Sequence, residues 1–403
     1  MHLLYNIGIY CYGAMVAIAA LFSSKAAKRF RGSRCALRQL RQECDPEARY
    51  VWFHAASLGE FEQGRPLIER LRRKHPEYKI LLTFFSPSGY EVRRNYNSSD
   101  IVCYLPLDTP RNARRFVQIV HPEKAIFIKY EYWGNLLLAL QAAKIPTYVV
   151  SAIYRPNQIF FRFYGNFFRR LLRCFSTIFV QDENSYKLLQ RINIQNVVIA
   201  GDTRFDRVTD IANTAKPLTI VESFAQNAQV LIAGSSWPQD EELLIRFVNA
   251  NKEHKMIIVP HEVTQEHVAH ICAGLRRSYV RYTQTNSSES AGADCLIVDT
   301  VGLLSSIYRY GQVAYIGGGF GAGIHNTLEA AVWGLPVIFG PNYQKFREAH
   351  ELIACGGGYT VNTYRKLETV ANALFFDKEA GRHAAEYVER HTGATDCIMS
   401  VIF

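Results

Sequence analysis

The chain has 403 residues, 48% of them hydrophobic, and a formal net charge of +10. This length and apolar content exclude a disordered or fibrous chain and suffice for two domains of ordinary size. Residues 1–200 hold 29 Lys and Arg against 14 Asp and Glu, a net +15, and the remainder carries −5, so only the first half calls for an anionic partner.

In chain order, Leu3–Phe22 is twenty residues without a charge, the length that crosses a bilayer's hydrocarbon core. Asn6, three tyrosines and two glycines dilute it. Seven basic residues follow, from Lys25 to Arg41, before the first acid at Glu43. Charges after the apolar run rather than before it argue against a cleavable signal peptide. The basic side, and with it the rest of the chain, is expected to be cytoplasmic. Three arrangements stay open: a spanning anchor, a helix lying in the interface, and a helix packed on the protein itself. No basic and aromatic nucleic-acid motif accompanies these charges, so no nucleic-acid partner is expected. The nine cysteines are scattered without a CxxC and read as small buried residues of a reducing compartment.

From Arg49 onward, short apolar runs alternate with amphipathic stretches. Strands are expected at Tyr50–Ala55, Lys79–Phe85, Ile101–Leu105, Ala125–Lys129, Thr147–Val150, Thr177–Val180 and Val197–Ala200. Such alternation implies a parallel sheet covered by helices on both faces. Phe160–Leu172 is a basic, aromatic stretch expected to be helical, either meeting a membrane surface or covering the sheet. A hinge is expected near Thr214, Lys216 and Pro217, after which the pattern restarts at Val230–Ala233 and Met256–Val259. The expected division is 1–24 as membrane anchor, 25–213 as a first Rossmann-like domain and 214–403 as a second. Thr285–Asp294 reads as a polar loop. Two such domains facing each other would hold ligands in the cleft, outside the carboxyl ends of their strands.

Val313–Gly340 reads as strand, glycine-rich loop, helix and strand, with Asn326 placed to cap the helix and Gly334 to stop it. Backbone N–H groups at such a helix start bind anions, so one reading is a phosphate-bearing ligand. The other is that Gly318, Gly319 and their neighbours simply let strand and helix pack closely. Neither GxGxxG nor a P-loop is present.

The remaining chemistry lies at expected strand ends. FHAASLGE, Phe53–Glu60, closes the first strand, where Ser57 and Gly59 leave room for a substrate. Glu60 at the following helix start is either a general base toward a hydroxyl or an acid that complements the helix dipole. His54 reads as a hydrogen-bonded strand residue. Glu131, in KYEYW, either binds a substrate group or pairs with Lys129 or a nearby Arg. Ser235 and Ser236 open a helix at Pro238 and either donate to a phosphate or cap the helix. Pro260 and His261 end the next strand. Asn326 and Glu329, three apart, share a helix face. Lys345 and Arg347 are available to a carboxylate or phosphate.

Taken together, FHAASLGE, GSSWPQDEE and GGGFGAGIHNTLEAAVWGLPVIFGPNYQKFREAHEL resemble the 3-deoxy-D-manno-octulosonic acid (Kdo) transferases of lipopolysaccharide synthesis, and the resemblance covers nearly the whole chain. It implies a GT-B fold of two Rossmann-like domains, the acceptor on the first and the nucleotide sugar on the second, behind an amino-terminal membrane anchor. It implies an inverting transfer from CMP-Kdo to a lipid A precursor, lipid IVA, at the cytoplasmic face of the inner membrane, with no cofactor and no bound metal. It makes Glu60 the general base, with Ser57, Gly59 and Glu131 on the acceptor side. Ser235, Ser236, Pro260, His261, Gly318, Gly319, Asn326, Thr327 and Glu329 fall on the donor side. The chain reads VPHEVTQ where many members read P-R-H-P-E-R, and AGIHNT where many read G-G-H-N-P. Two other readings are another GT-B nucleotide-sugar transferase or epimerase, and a non-catalytic membrane-bound nucleotide-sugar binder.

Overall fold

In the computed structural model, which describes residues 1–403, strand β1 (Tyr50–Ala55) sends Tyr50 and Trp52 into one apolar cluster and Val51, Phe53 and Ala55 into another. This is the period-two alternation of a strand buried on both faces. Fully buried Trp52 packs against Phe116 and Phe127, with ring centroids 4.5 and 5.0 Å away, and its indole N–H donates to Thr83 Oγ1 at 2.8 Å. Six more parallel strands follow: β2 (Lys79–Phe84), β3 (Ile101–Tyr104), β4 (Pro122–Ile128), β5 (Thr147–Ala152), β6 (Thr177–Val180) and β7 (Val197–Ile199). Their spatial order is β3-β2-β1-β4-β5-β6-β7. The chain thus winds outward from β1 in one direction, then restarts at β4 on its other side.

A second sheet repeats this plan. It comprises β8 (Gln229–Ser236), β9 (His254–Pro260), β10 (Tyr279–Arg281), β11 (Cys295–Ile297), β12 (Val313–Ile316), β13 (Val337–Phe339) and β14 (Gly358–Thr360). Its order is β10-β11-β9-β8-β12-β13-β14, again all parallel. In each sheet the winding reverses beside the first strand: between β1 and β4, and between β8 and β12. Such reversal points leave a crevice outside the carboxyl ends of the strands.

The chain forms two units, residues 1–207 with 392–403, and residues 208–391. The expected 213/214 boundary is displaced because one helix, Thr203–Thr214, runs through it. Residues after 391 also do not stay with the second unit. The helix Ala394–Ile402 buries Ile398, Met399 and Ile402 in the cluster that holds Val51 and Phe53. Asp206 accepts hydrogen bonds from the N–H groups of Gly393 and Thr395 and from the Thr395 hydroxyl, each at 2.6 Å.

Two local expectations change. Phe160–Leu172 is not one helix: a single turn at Ile159–Phe161 is followed by a helix only from Asn166 to Leu172. Phe160, Phe167, Leu171 and Leu172 enter the first core, whereas Phe163 is 90% exposed. The polar Thr285–Asp294 stretch contains a short helix, Ser287–Gly292, because Asn286 Oδ1 accepts the N–H groups of Ser288 and Glu289, both at 3.0 Å.

The amino-terminal apolar stretch forms helix α1 (His2–Ala19), followed by helix α2 (Ser24–Glu43). At 1.5 Å per residue α1 is about 27 Å long, close to a bilayer core of ~30 Å. Its polar residues, which dilute the hydrophobic pattern, attach it to the first unit. Tyr5 donates to Asp108 Oδ2 at 2.6 Å and accepts from the N–H of Gly134 at 2.8 Å. His2 bonds Asn135 Oδ1 at 3.0 Å, and Asn135 Nδ2 donates to Asn6 at 2.8 Å. On the other side Leu3, Leu4, Ile7, Tyr10, Met15 and Ile18 form an exposed apolar stripe that continues into Leu21 and Phe22. Tyr5→Phe removes both bonds and is expected to cost α1 about 2 kcal/mol of attachment. Amide exchange across His2–Ala19 should then accelerate at least tenfold, since ~1.4 kcal/mol is a factor of ten. Unchanged exchange would mean that apolar contact alone holds the helix.

Candidate functional site

The reversal point of the first sheet is flanked by the segments that leave β1 and β4, and these carry Glu60 and Glu131. Ser57 is the N-cap of helix α3 (Leu58–Lys74), with Glu60 in its first turn. Ser-x-x-Glu at this position is the pattern of a reciprocal capping box, in which both side chains bond backbone N–H groups. Here Ser57 makes no side-chain bond to the helix backbone, and its hydroxyl donates to the Glu60 carboxylate in a short contact. The pair forgoes capping and keeps a half-buried carboxylate at the mouth of the sheet. Gly59 beside it is exposed and adds no side chain there.

Glu131 follows Lys129, whose φ of +63° turns the chain sharply off β4. It is 14% exposed and bonds neither Lys129 nor an arginine in the structure. Its Oε2 accepts the Trp133 indole N–H at 2.7 Å and lies 3.1 Å from Nε2 of fully buried His54. The other His54 nitrogen lies 2.8 Å from Thr83 Oγ1. Through His54, a strand residue as expected, β1 and β2 fix the carboxylate of the β4 loop. Of the two readings of Glu131, the structural pairing with Lys129 or an arginine gives way to a histidine and an indole.

The reversal point of the second sheet gathers most of the expected donor-side residues. Ser236 pairs with Pro260 across β8 and β9, and the His261 N–H donates to the Ser236 carbonyl at 2.9 Å. Ser235 sits at a register shift between β8 and β9 with φ +53°, an uncommon conformation for a serine. Backbone strain of this kind concentrates at ligand sites. The rings of Trp237, His261 and His325 stack, with centroids 4.7 Å apart for Trp237 and His261 and 4.4 Å for His261 and His325. The Trp237 N–H donates to His325 Nε2 at 3.0 Å, and burial lowers the His325 pKa, favouring the neutral ring.

Asn326 Nδ2 donates to Glu329 Oε1 at 3.0 Å, and its Oδ1 accepts the Leu328 N–H at 3.2 Å. The Ser305 hydroxyl donates to the second Glu329 oxygen at 2.6 Å. Thr327 is fully buried, and its hydroxyl has no hydrogen-bond partner.

Four expectations are corrected here. The Ser236 hydroxyl does not face a ligand: it is buried and donates to Glu241 at 2.8 Å, and Glu241 in turn holds His267 at 2.8 Å. The glycine loop is not an open cradle of N–H groups. Gly318, at φ +91°, spends its N–H on Asp240 at 2.8 Å, and a Cβ on Gly319 would lie 2.6 Å from Gly340 Cα. Close backbone packing thus explains these two glycines better than contact with a phosphate. The helix after the loop is one turn long, Leu328–Ala331, and ends before Gly334 at φ +73°. Arg347 is also committed, to Glu351 at 2.6 Å.

Asp240 is the residue that sequence reasoning missed. It is fully buried and accepts from Gly318 N–H, from Trp237 N–H at 3.0 Å and from the Tyr315 hydroxyl at 2.8 Å. Burial raises its pKa in spite of these three donors. It ties the start of helix Pro238–Ala250 to the glycine loop after β12, and so holds both walls of the reversal point in register. Its signal in the sequence is an acid two residues after a helix-opening proline, which is also the signature of an ordinary first-turn acid.

Comparison with known proteins agrees with this arrangement. A family model described as 3-deoxy-D-manno-octulosonic-acid transferase matches residues 25–207. The chain is 28% identical over 337 residues to the 3-deoxy-D-manno-octulosonic acid transferase of Aquifex aeolicus, covering 82% of this chain and 87% of the relative. It is 27% identical over 375 residues to that of Haemophilus influenzae, covering 89% and 87%. Among solved structures it resembles the UDP-GlcNAc 2-epimerase of Neisseria meningitidis, with TM-score 0.62 and 15% identity over 88% of this chain and 99% of that one, a likeness of fold alone. Two doubly wound units of the GT-B type, a family model over residues 25–207 and relatives 27–28% identical along most of its length make the chain similar to the Kdo transferases, a family of glycosyltransferases.

Proposed function

We propose that this chain moves Kdo from CMP-Kdo to lipid IVA, the phosphorylated glucosamine-disaccharide precursor of lipid A, with inversion at the anomeric carbon and Glu60 as general base. The observation that carries this reading is the Ser57–Glu60 pair, a carboxylate withheld from helix capping at the reversal point of the first sheet. In the reaction an acceptor hydroxyl oxygen forms the bond to the anomeric carbon. The bond from that carbon to the CMP phosphate oxygen breaks, its electron pair stays on the phosphate, and Glu60 takes the hydroxyl proton. Positioned general bases contribute roughly 10²–10⁴-fold.

Ser57, Gly59 and Glu131 complete the acceptor side. Ser235, Pro260, His261, Asn326, Thr327 and Glu329 hold the CMP moiety, where fixed dipoles stabilise charge as the phosphate departs. The buried, unpartnered Thr327 hydroxyl and the strained Ser235 support a ligand at this position. Gly318, Gly319 and Ser236 act as the frame behind it. The exposed stripe of α1 and the basic run of α2 support attachment to the anionic cytoplasmic face of the inner membrane, where the acceptor resides.

Mass spectrometry after incubating the full chain with CMP-Kdo and a tetra-acylated, bis-phosphorylated glucosamine disaccharide tests the proposal. The acceptor is expected to gain Kdo, with release of CMP. An unchanged acceptor, or release of UDP from a UDP-sugar in its place, would overturn it.

A further inference from the structure

Helices α1 and α2 enclose two grooves that the reaction as described does not use. One, of about 390 Å³, is lined by Tyr12, Val16, Ala26, Arg29, Phe85 and Ser86. The other, of about 330 Å³, is lined by Tyr12, Gly13, Val16, Arg29, Phe30 and Leu107. Tyr12, Val16 and Arg29 are common to both and form the partition between them. Both volumes fall in the range of small-molecule pockets, and their walls are mainly apolar.

Arg29 is the unusual member of this partition. It is 6% exposed, with its guanidinium over the Phe85 ring at 4.2 Å. One terminal nitrogen donates to the Leu105 carbonyl at 2.7 Å, while buried Nε has no hydrogen-bond partner. An unspent buried donor on a cation is costly unless an oxygen ligand meets it. Lys25 borders the first groove and Arg34 the second, so both have a basic residue at the edge.

Two wall residues of the first groove, Phe85 and Ser86, adjoin the acceptor side of the site. The Ser86 N–H donates to the Ala56 carbonyl at 2.7 Å, one residue before Ser57. The Phe85 ring lies 4.9 Å from that of Trp133, whose N–H holds Glu131.

We propose that these two grooves hold fatty-acyl chains of the acceptor lipid, one on each side of Arg29, whose free Nε–H takes an ester or amide carbonyl at the head of a chain. The inference rests on the acceptor assigned above and adds how that acceptor is gripped. The occupant is the acceptor rather than a bulk phospholipid because the first groove, which opens at Met15 on the exposed stripe of α1, has Phe85 and Ser86 in its opposite wall, and these touch Trp133 and Ala56 beside the acceptor residues.

The test uses Ala26→Trp, which narrows the first groove, and Ser33→Trp, at the wall of the second, in the full-length protein. The ratio of kcat/KM for the tetra-acylated acceptor to kcat/KM for the same disaccharide bisphosphate without acyl chains is expected to fall about tenfold in each, the effect of excluding a few methylenes from a groove. Binding to phosphatidylglycerol vesicles is expected to persist. An unchanged ratio overturns the proposal, and so does a fall that tracks lost vesicle binding, which would assign the grooves to bulk lipid. Photolabelling of the unmodified protein with an acceptor carrying a diazirine in its chains reads occupancy without turnover. Label within residues 12–33 in the absence of transfer would keep the grooves and sink the assigned reaction; transfer with label only elsewhere would do the reverse.

Discussion

Replacing Glu60 by alanine is expected to abolish transfer in a protein that still binds CMP-Kdo. The base acts only in the transition state, so its loss lowers kcat and kcat/KM together, by roughly 10²–10⁴-fold. Donor affinity, measured by calorimetry, should stay close to that of the parent, because the residues assigned to CMP belong to the other unit. Glu60→Gln should be nearly as inactive, since an amide keeps the size but cannot take the proton. Ser57→Ala separates positioning from chemistry. It leaves the carboxylate in place but frees it to turn, and is expected to cost about tenfold, less than loss of the base itself. Transfer at near-parent rates in Glu60→Ala would reduce the acid to a helix-dipole partner and end its assignment as base.

The second large effect is expected at Asp240. Alanine there leaves the buried N–H of Gly318, the half-buried backbone N–H of Trp237 and the buried Tyr315 hydroxyl without their acceptor. Each orphaned group costs about 1–3 kcal/mol, so a loss of at least about 3 kcal/mol is expected. For a unit of residues 208–391 this lowers the Tm by about 10 °C. CMP-Kdo affinity should fall with it, because Gly318 and Trp237 belong to the two walls of the donor side. Asp240→Asn is the informative control. Its carbonyl oxygen can still accept both N–H groups, and its amide can donate to Tyr315, whose hydroxyl then serves as acceptor. A mild asparagine beside a severe alanine would identify lost acceptors as the cause. Equal loss in both would point instead to the carboxylate charge, and an alanine variant as stable as the parent would remove Asp240 from the account.

How far the sequence reached depends on the range of each interaction. All seven expected strands of the first half are present, because strands buried on both faces read as uninterrupted apolar runs, as β1 and β5 do. Ser236, Pro260 and His261 meet because residues at the ends of adjacent parallel strands must. Commitments made at long range were not legible. The sequence pattern around Ser236 does not distinguish a hydroxyl aimed at a ligand from one spent on Glu241. The partners of His2, Tyr5 and Asn6 lie more than a hundred positions away, at Asp108, Gly134 and Asn135. Without them α1 reads as an apolar run diluted by a few polar residues, although one edge is a hydrogen-bonded seam. Glycines raise the same difficulty at short range, since a bare Cα admits a neighbouring backbone as readily as a phosphate, and at Gly319 the neighbour is Gly340.

The return of residues 392–403 to the first unit sets an order of events during synthesis. Domains generally fold as they leave the ribosome, the earlier one first. Here the unit that carries Glu60 lacks Ile398, Met399 and Ile402 from its core until the whole of residues 208–391 has been made. Full burial of such side chains is worth about 1.5–3 kcal/mol each, a sizeable share of the 5–15 kcal/mol that typically separates folded from unfolded chains. The nascent first unit therefore waits, incomplete and with α1 already emerged, while the second unit is translated. Asp206, gripping Gly393 and Thr395, is the point at which the late segment locks the early one shut.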